Sequence, residues 1–378
     1  MSFTEGSVII DVSTPAPGVT AVRTRSTRAG EVAQAIVGQA CDSPLPETLI
    51  KSLYALCPQA HLAAFRAACA YAQGQTPVLD TRRIVYEMMG EHLRFLAFDA
   101  PNSVGLKPDD QVRRLGALRA QLDRELNLAN PDYEALDKTI CGDLEYFVTG
   151  SPCLQKFKAL DSLPDFEAWM MLGRTAASRL FAQLWENVPC RKHTEIPNID
   201  AHTSVLKAND WFKPGFSANA PTIGAACYQT SAEARHMDFP LLHEIAEQYG
   251  CGVRASFAAR LIDLIDFFKT RENPQGIITA GSPAKGVGLA LVQCARGTLT
   301  TRVVVENEIL ANVQIIAPTE WNFTEGGAAQ QALNSITYES AQQFRSDAAW
   351  VLAAVDPCVP YQIRFQTTQD NRQEAAHA

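Results

Sequence analysis

No C-x-x-C pair occurs in this 378-residue sequence, although ten cysteines are scattered at positions 41, 57, 69, 141, 153, 190, 227, 251, 294 and 358. That excludes a zinc ribbon or a thioredoxin-type motif as the obvious reading. A basic excess is also missing: 33 Lys and Arg stand against 41 Asp and Glu, a net charge of -8. The balance argues against nucleic acid and anionic membrane surfaces as partners. No uninterrupted apolar run reaches the length of a membrane span, and the opening MSFTEGSVIIDV has no basic segment followed by an apolar one. A cytoplasmic location with reduced thiols is therefore expected. Linkers rich in Gly, Ser or Pro, internal repeats and low-complexity segments are absent too. Most of the cysteines are expected to be small buried apolar residues.

What is present is a soluble, core-forming composition, 47% hydrophobic and 20% charged, long enough for a sizeable core. Val8, Ile9, Ile10 and Val12, then Pro15 to Gly18, then Val19 and Val22 predict an N-terminal hairpin. Helical spacing follows over 31–37, with Gly38 as a stop, and from Leu49 through Leu53 and Leu56 toward Cys57-Pro58. Proline disfavours the α conformation in the residue before it, which places Cys57 at a helix end. Further helices are predicted over 62–71, from Asp80-Thr81 to Leu96, and over 109–126, 167–185, 241–249, 255–269, 328–335 and 340–352. Residues 286–305 and 309–316, rich in Val, Leu and Ile, read as strands, with a hairpin about Glu306-Asn307-Glu308. The expected fold class is α+β, predominantly helical. Residues 1–366 are expected to form one domain and 367–378 a disordered polar tail.

Two local strings carry the chemistry. Tyr54-Ala55-Leu56-Cys57-Pro58-Gln59-Ala60-His61 and Asp356-Pro357-Cys358-Val359-Pro360-Tyr361 each hold a cysteine and a tyrosine three residues apart. The first resembles the C-x-x-C-P-x-x-H motif of nickel–iron hydrogenase large subunits, with Tyr54 in place of the first cysteine. The second resembles D-P-C-x-x-C-x-x-H, with Tyr361 for the last cysteine and Arg364 for the histidine. Between them, Thr4 to Val8 is similar to an R-x-E-G-H-L segment and Arg28 to Glu31 loosely to R-G-x-E. Cys294-Ala295-Arg296-Gly297-Thr298-Leu299 resembles A-P-R-G-A-L, and Ala317-Pro318-Thr319-Glu320-Trp321-Asn322 resembles V-P-[ST]-T-W-N. The order of these segments agrees over nearly the whole chain, with a middle section much shorter than in the enzymes. Within the family, the accessory proteins of the HupK/HoxV type look closest.

The resemblance implies a large-subunit-like fold of reduced size, with β-hairpins near both ends, and a maturation factor in place of a hydrogenase. Four thiolates hold nickel in the enzymes, so removing two leaves no sulfur cage for it. What remains suits transient binding of iron with cyanide and carbon monoxide ligands, through Cys57 and Cys358, for transfer to the large-subunit precursor. Other maturation proteins are the further expected partners. Cys57 matches a position that bridges to iron, and Cys358 one that binds only nickel. His61, Arg296, Leu299 and Thr319 match residues around the diatomic ligands, as donors and apolar wall. Glu5 matches an acid associated with proton transfer, which here is left a structural role or none. Glu31 matches an acid of a magnesium site whose histidine is replaced by Arg364, so that an Arg364–carboxylate pair could take the place of the cation. The alternative is a metal-free mimic of the large subunit that binds chaperones or a protease.

Overall fold

The structure is a computed structural model and describes residues 6–16, 19–27, 31–107, 111–151, 157–188, 196–199, 203–250 and 252–366. Glu5 and the tail 367–378 lie outside the described residues.

Strands β1 (Val8–Ala16) and β2 (Val19–Ser26) form the expected hairpin, with Ile10 opposite Thr24. The free edge of β2 is covered by side chains of the helix Ala328–Asn334 and its neighbours. Val22 N–H donates to Asn334 Oδ1 (2.6 Å) and Thr24 N–H to Gln330 Oε1 (3.2 Å), a means of blunting an open edge. A short strand not foreseen from the sequence, β7 (Tyr361–Phe365), lies parallel to β1 on its other side, Ile363 beside Ile10. Val8 N–H also donates to Pro360 O (2.8 Å). The segment that follows Cys358 is thereby tied to the first strand of the chain.

A second, four-stranded antiparallel sheet runs β3 (Ile278–Ala284), β4 (Val287–Cys294), β5 (Gly297–Glu306) and β6 (Ile309–Ile316). Residues 286–305 are thus two strands with a turn at Ala295-Arg296. The β5–β6 turn puts Asn307 and Glu308 at positive φ (52° and 66°), the geometry of tight hairpin turns. Every residue of β4 is buried, because both faces are covered. Leu289 and Leu291 pack with Trp211 and Trp321 on one side, whereas Ala290, Val292 and Cys294 face the main core. That core includes the helix Pro58–Ala72, which meets β4 at Gly288; a Cβ there would lie 1.7 Å from Ala68 O.

The helices agree broadly with the sequence pattern, with two informative departures. The helix before Cys57 ends at Leu53, and Cys57 is the N-cap of the next one, with Pro58 at its first position. Cys57 therefore starts a helix and does not end one; proline's missing N–H and fixed φ suit a first helical position. The 167–185 pattern is two helices, Leu163–Leu172 and Ala176–Asn187, separated at Gly173 in the left-handed region (φ 57°). Among the described residues no helix is long and apolar enough to cross a membrane.

Candidate metal-carrier site

The helix beginning at Cys57 fixes the first sulfur. Its first-turn amides are already satisfied: Gln59 N–H and Ala60 N–H donate to Glu87 (2.7 and 3.1 Å). Glu87 comes from the helix Thr81–Arg94, which also presents Glu91 one turn later. Burial pushes the Glu87 carboxyl up to about 8, against the pull of those two amides and with the Glu91 charge adding to the rise. Tyr54, standing at the missing cysteine's position, stacks on His61 with ring centroids 3.8 Å apart, and His61 is buried beneath it.

Arg296 sits in the β4–β5 turn. Gly297 holds this turn against Thr230, where a Cβ would come within 2.5 Å of the hydroxyl, and Thr298 N–H donates to Thr230 Oγ1 (2.7 Å). The guanidinium is buried, its Nη1 3.2 Å from Glu91 and its Nε 3.0 Å from Asp356. Burial opposes its charge, but Asp356 and Glu91, then Cys358 and Cys57, hold it firmly protonated. Glu91 is shared with Arg119 (2.8 Å), and Asp356 with Arg260 (3.2 Å). Buried charges are sustained by such pairing.

Asp356 caps the helix Ala341–Val355 in a left-handed conformation (φ 50°), two residues before Cys358. Its clamping by two arginines fixes the loop that carries the cysteine. The Cys358 N–H donates to Thr319 Oγ1 (3.1 Å), and the same hydroxyl lies 3.0 Å from Cys358 Sγ. The hydroxyl accepts the amide N–H and keeps one proton and one lone pair, so either it or the thiol is the donor between them. Thr319 is in the short helix Pro318–Asn322. Leu299, on β5, is fully buried in the core.

Cys57 and Cys358 thus share one neighbourhood with Arg296, each within electrostatic reach of the guanidinium. A third buried thiol near Cys57 is a residue the motif reading passed over: Cys294, the last residue of β4, lies in the same core. Cys57 beside it, with the charges of Arg235 and Arg296, draws the Cys294 thiol down against its burial, while Cys294 and burial push Cys57 well up. The two thiols titrate as a pair.

Behind the turn, Arg235 pairs with buried Asp263 (2.5 Å), which also bonds His92 (2.7 Å) and His236 (2.8 Å). Arg235 further donates to Gln293 (3.2 Å), the neighbour of Cys294. A cavity of about 620 Å³ reaches Arg260 and Arg296 from the side of Thr230, Glu233 and Ser256. Among the described residues no group of three or more His, Cys, Asp or Glu side chains is arranged to hold a metal ion.

Three residues named from the sequence fall elsewhere. Tyr361 is exposed on β7. Arg364 donates to Gln362 Oε1 (3.0 Å) and, as a β-strand residue, lies beside Asp11 in register. The Glu31 backbone starts the helix Glu31–Ile36, but its side chain, like Glu5, lies outside what is described.

No protein-family model matches the chain. The hydrogenase expression/formation protein HupK of Bradyrhizobium diazoefficiens is 25% identical over 354 residues, covering 90% of each chain. HoxV of Cupriavidus necator, another hydrogenase expression/formation protein, is 37% identical over 86 residues, 22% of each. Over most of its length the chain is thus similar to hydrogenase expression/formation proteins of the HupK/HoxV type. A third relative, HupK of Azotobacter vinelandii, is 31% identical over 148 residues, 39% of each. Among solved structures, the reduced, active Ni-Fe-Se hydrogenase of Desulfomicrobium baculatum superposes with a TM-score of 0.59 at 12% identity, over 93% of this chain and 99% of that one. The Ni-Fe-Se hydrogenase of D. vulgaris Hildenborough gives 0.57 at 14%, over 93% and 98%. At that identity the likeness shows the fold, a reduced version of the hydrogenase large-subunit architecture.

Proposed function

We propose that this HupK/HoxV-type chain is a hydrogenase maturation factor, not itself a hydrogenase, that carries the iron fragment bearing cyanide and carbon monoxide to the large-subunit precursor. The observation that carries the reading is the meeting of buried Cys57 and Arg296 with half-buried Cys358, from three distant parts of the chain. Thiolates suit low-spin iron. A guanidinium has five donors; Arg296 Nη1 donates to Glu91 and its Nε lies near Asp356 without a hydrogen bond, which is consistent with a further N–H serving a cyanide nitrogen. Leu299 supplies apolar wall, and Thr319 a hydroxyl on Cys358.

The fragment is cargo, and it brings three ligands of its own, so it needs fewer protein donors than a bare ion. Fewer thiolates than the recipient also favour release, since added thiolates strengthen the binding of a soft metal. Transfer is the test. The protein, purified without oxygen from cells grown on isotope-labelled iron, is mixed with iron-free large-subunit precursor. Label appearing on the precursor supports the carrier; a protein that is required for hydrogenase activity yet holds and passes no iron is the metal-free mimic.

A further inference from the structure

We infer that the cavity behind Arg296 is a binding site for a small organic oxyanion, its carboxylate or phosphoryl head held by Arg260 with Arg296 alongside. The inference goes beyond the carrier reading and does not rest on it. Size is the first support: at about 620 Å³ the cavity falls among small-molecule sites, which span roughly 300–1,000 Å³. The second is the unused donor capacity of Arg260. Its side chain is buried on the helix Val253–Thr270 and lines the cavity. Among the described residues its contacts are the ion pair with Asp356 (3.2 Å) and the face of Phe95, 4.1 Å from the ring centroid, and neither is a hydrogen bond. A guanidinium carries five N–H donors, and a buried donor left without an acceptor is costly. Asp356 also answers to Arg296 (3.0 Å), so one carboxylate serves two buried cations.

The helix itself is the third support. Val253, Ser256 and Arg260 all line the cavity, and their spacing of three and four residues puts them on one helix face. The helix begins there too: its N-cap is Gly252, which has no side chain to cap the first amides. The positive end of an 18-residue helix and the Arg260 guanidinium thus look into the same space. Val351, Ala354 and Val355 supply apolar wall for the body of the ligand. The carboxyl group on the opposite wall is Glu233, and burial raises it to about 7, so that it is charged only in part near neutral pH. Paired N–H donors of a guanidinium match carboxylate and phosphoryl oxygens, whereas a neutral ligand would leave Arg260 unanswered.

The test is calorimetric titration of the full-length chain with benzoate, phenyl phosphate and benzyl alcohol. Benzoate or phenyl phosphate is expected to bind saturably at one site, and the tighter of the two identifies the head group. Benzyl alcohol keeps the ring without the charge and should bind at least about tenfold more weakly, the loss of one charge-assisted hydrogen bond. Arg260→Met removes the donors and should weaken the anion by a similar factor. Ala332→Phe fills the cavity from the helix Ala328–Asn334 with every charge left in place, and should abolish binding. Arg66→Met, which alters a partly exposed pair with Glu47, keeps wild-type affinity. Circular dichroism confirms the fold of each variant, and Ala332→Phe decides if Arg260→Met does not fold. No saturable anion binding to wild type overturns the inference. Wild-type affinity in folded Ala332→Phe or Arg260→Met overturns it as well, as does benzyl alcohol binding as tightly as the anions. The titration involves no iron, so its failure is distinguishable from a failure of iron transfer.

Discussion

Replacing Gly288 by alanine perturbs the packing on which the site depends, and its effect follows from distances. The added Cβ would sit 1.7 Å from Ala68 O, 2.7 Å from Ala68 C and 2.8 Å from Ala72 N. All three are backbone atoms of the helix Pro58–Ala72, so no change of rotamer relieves them. To restore an ordinary contact of 3.4 Å, helix and strand must part by about 1.7 Å. Overpacking with side-chain relief costs about 1–3 kcal/mol; with backbone on one side, the loss should reach the upper end, roughly 3 kcal/mol or more, and lower Tm by several degrees. Thermal melts by circular dichroism should therefore show the loss in Gly288→Ala. Gly281→Ala is the control, since its Cβ would meet nothing nearer than Val205 Cγ2 at 3.5 Å. A Gly288→Ala protein with wild-type melting would refute the packing account.

Other outcomes follow from the same structure. Gly116 is an exposed position inside the helix Gln111–Glu125, with nothing within 4 Å of a Cβ, so Gly116→Ala should add about 0.5–1 kcal/mol in urea unfolding. Arg260 and Arg296 share Asp356, so replacing both by methionine should destabilise beyond the sum of the single changes, by a coupling of about 0.5–3 kcal/mol in a double-mutant cycle. Additive losses would mean that the clamp is not shared. Burial raises the Glu87 carboxyl to about 8 from 4.5; the folded state favours its proton, so its stabilising contribution is full below the unfolded value and lost as pH rises through about 8. Glu87→Gln, which mimics the protonated acid and cannot ionise, should melt near wild type at about pH 5 and gain on it toward about pH 9.

Much of the site was legible because its residues sit in short strings with a recognisable order: Cys57-Pro58 with His61, Arg296-Gly297, Pro318-Thr319 and Asp356-Pro357-Cys358. Cys294 belongs to one of those strings and was still missed. A cysteine ending an apolar strand reads as one more small core residue, and only the pairing of β4 with the helix from Cys57 brings the sulfurs together. Glu87 and Glu91 were hidden for a related reason. Their helix shows an apolar stripe through Ile84, Val85, Met88 and Met89, and two carboxylates beside it look like solvent contacts. Their partners, the amides of Gln59 and Ala60 and the guanidiniums of Arg119 and Arg296, come from remote parts of the chain. The hairpin of β1 and β2 was legible from alternation, whereas β3, with Gly281, Ser282 and Pro283, and β7, five residues long, carry too little pattern to stand alone. Pro58 misled in a specific way: a proline that ends one helix in a sequence pattern is equally suited to open the next.

On this account the meeting of Cys57, Cys358 and Arg296 holds iron with diatomic ligands. It is tested most directly by the infrared spectrum of the protein purified without oxygen from cells that contain the hydrogenase assembly machinery. Bands of iron-bound carbon monoxide and cyanide, present in wild type and lost in a folded Cys57→Ala protein, are predicted. A spectrum without them, from wild type that carries no iron, would contradict the account.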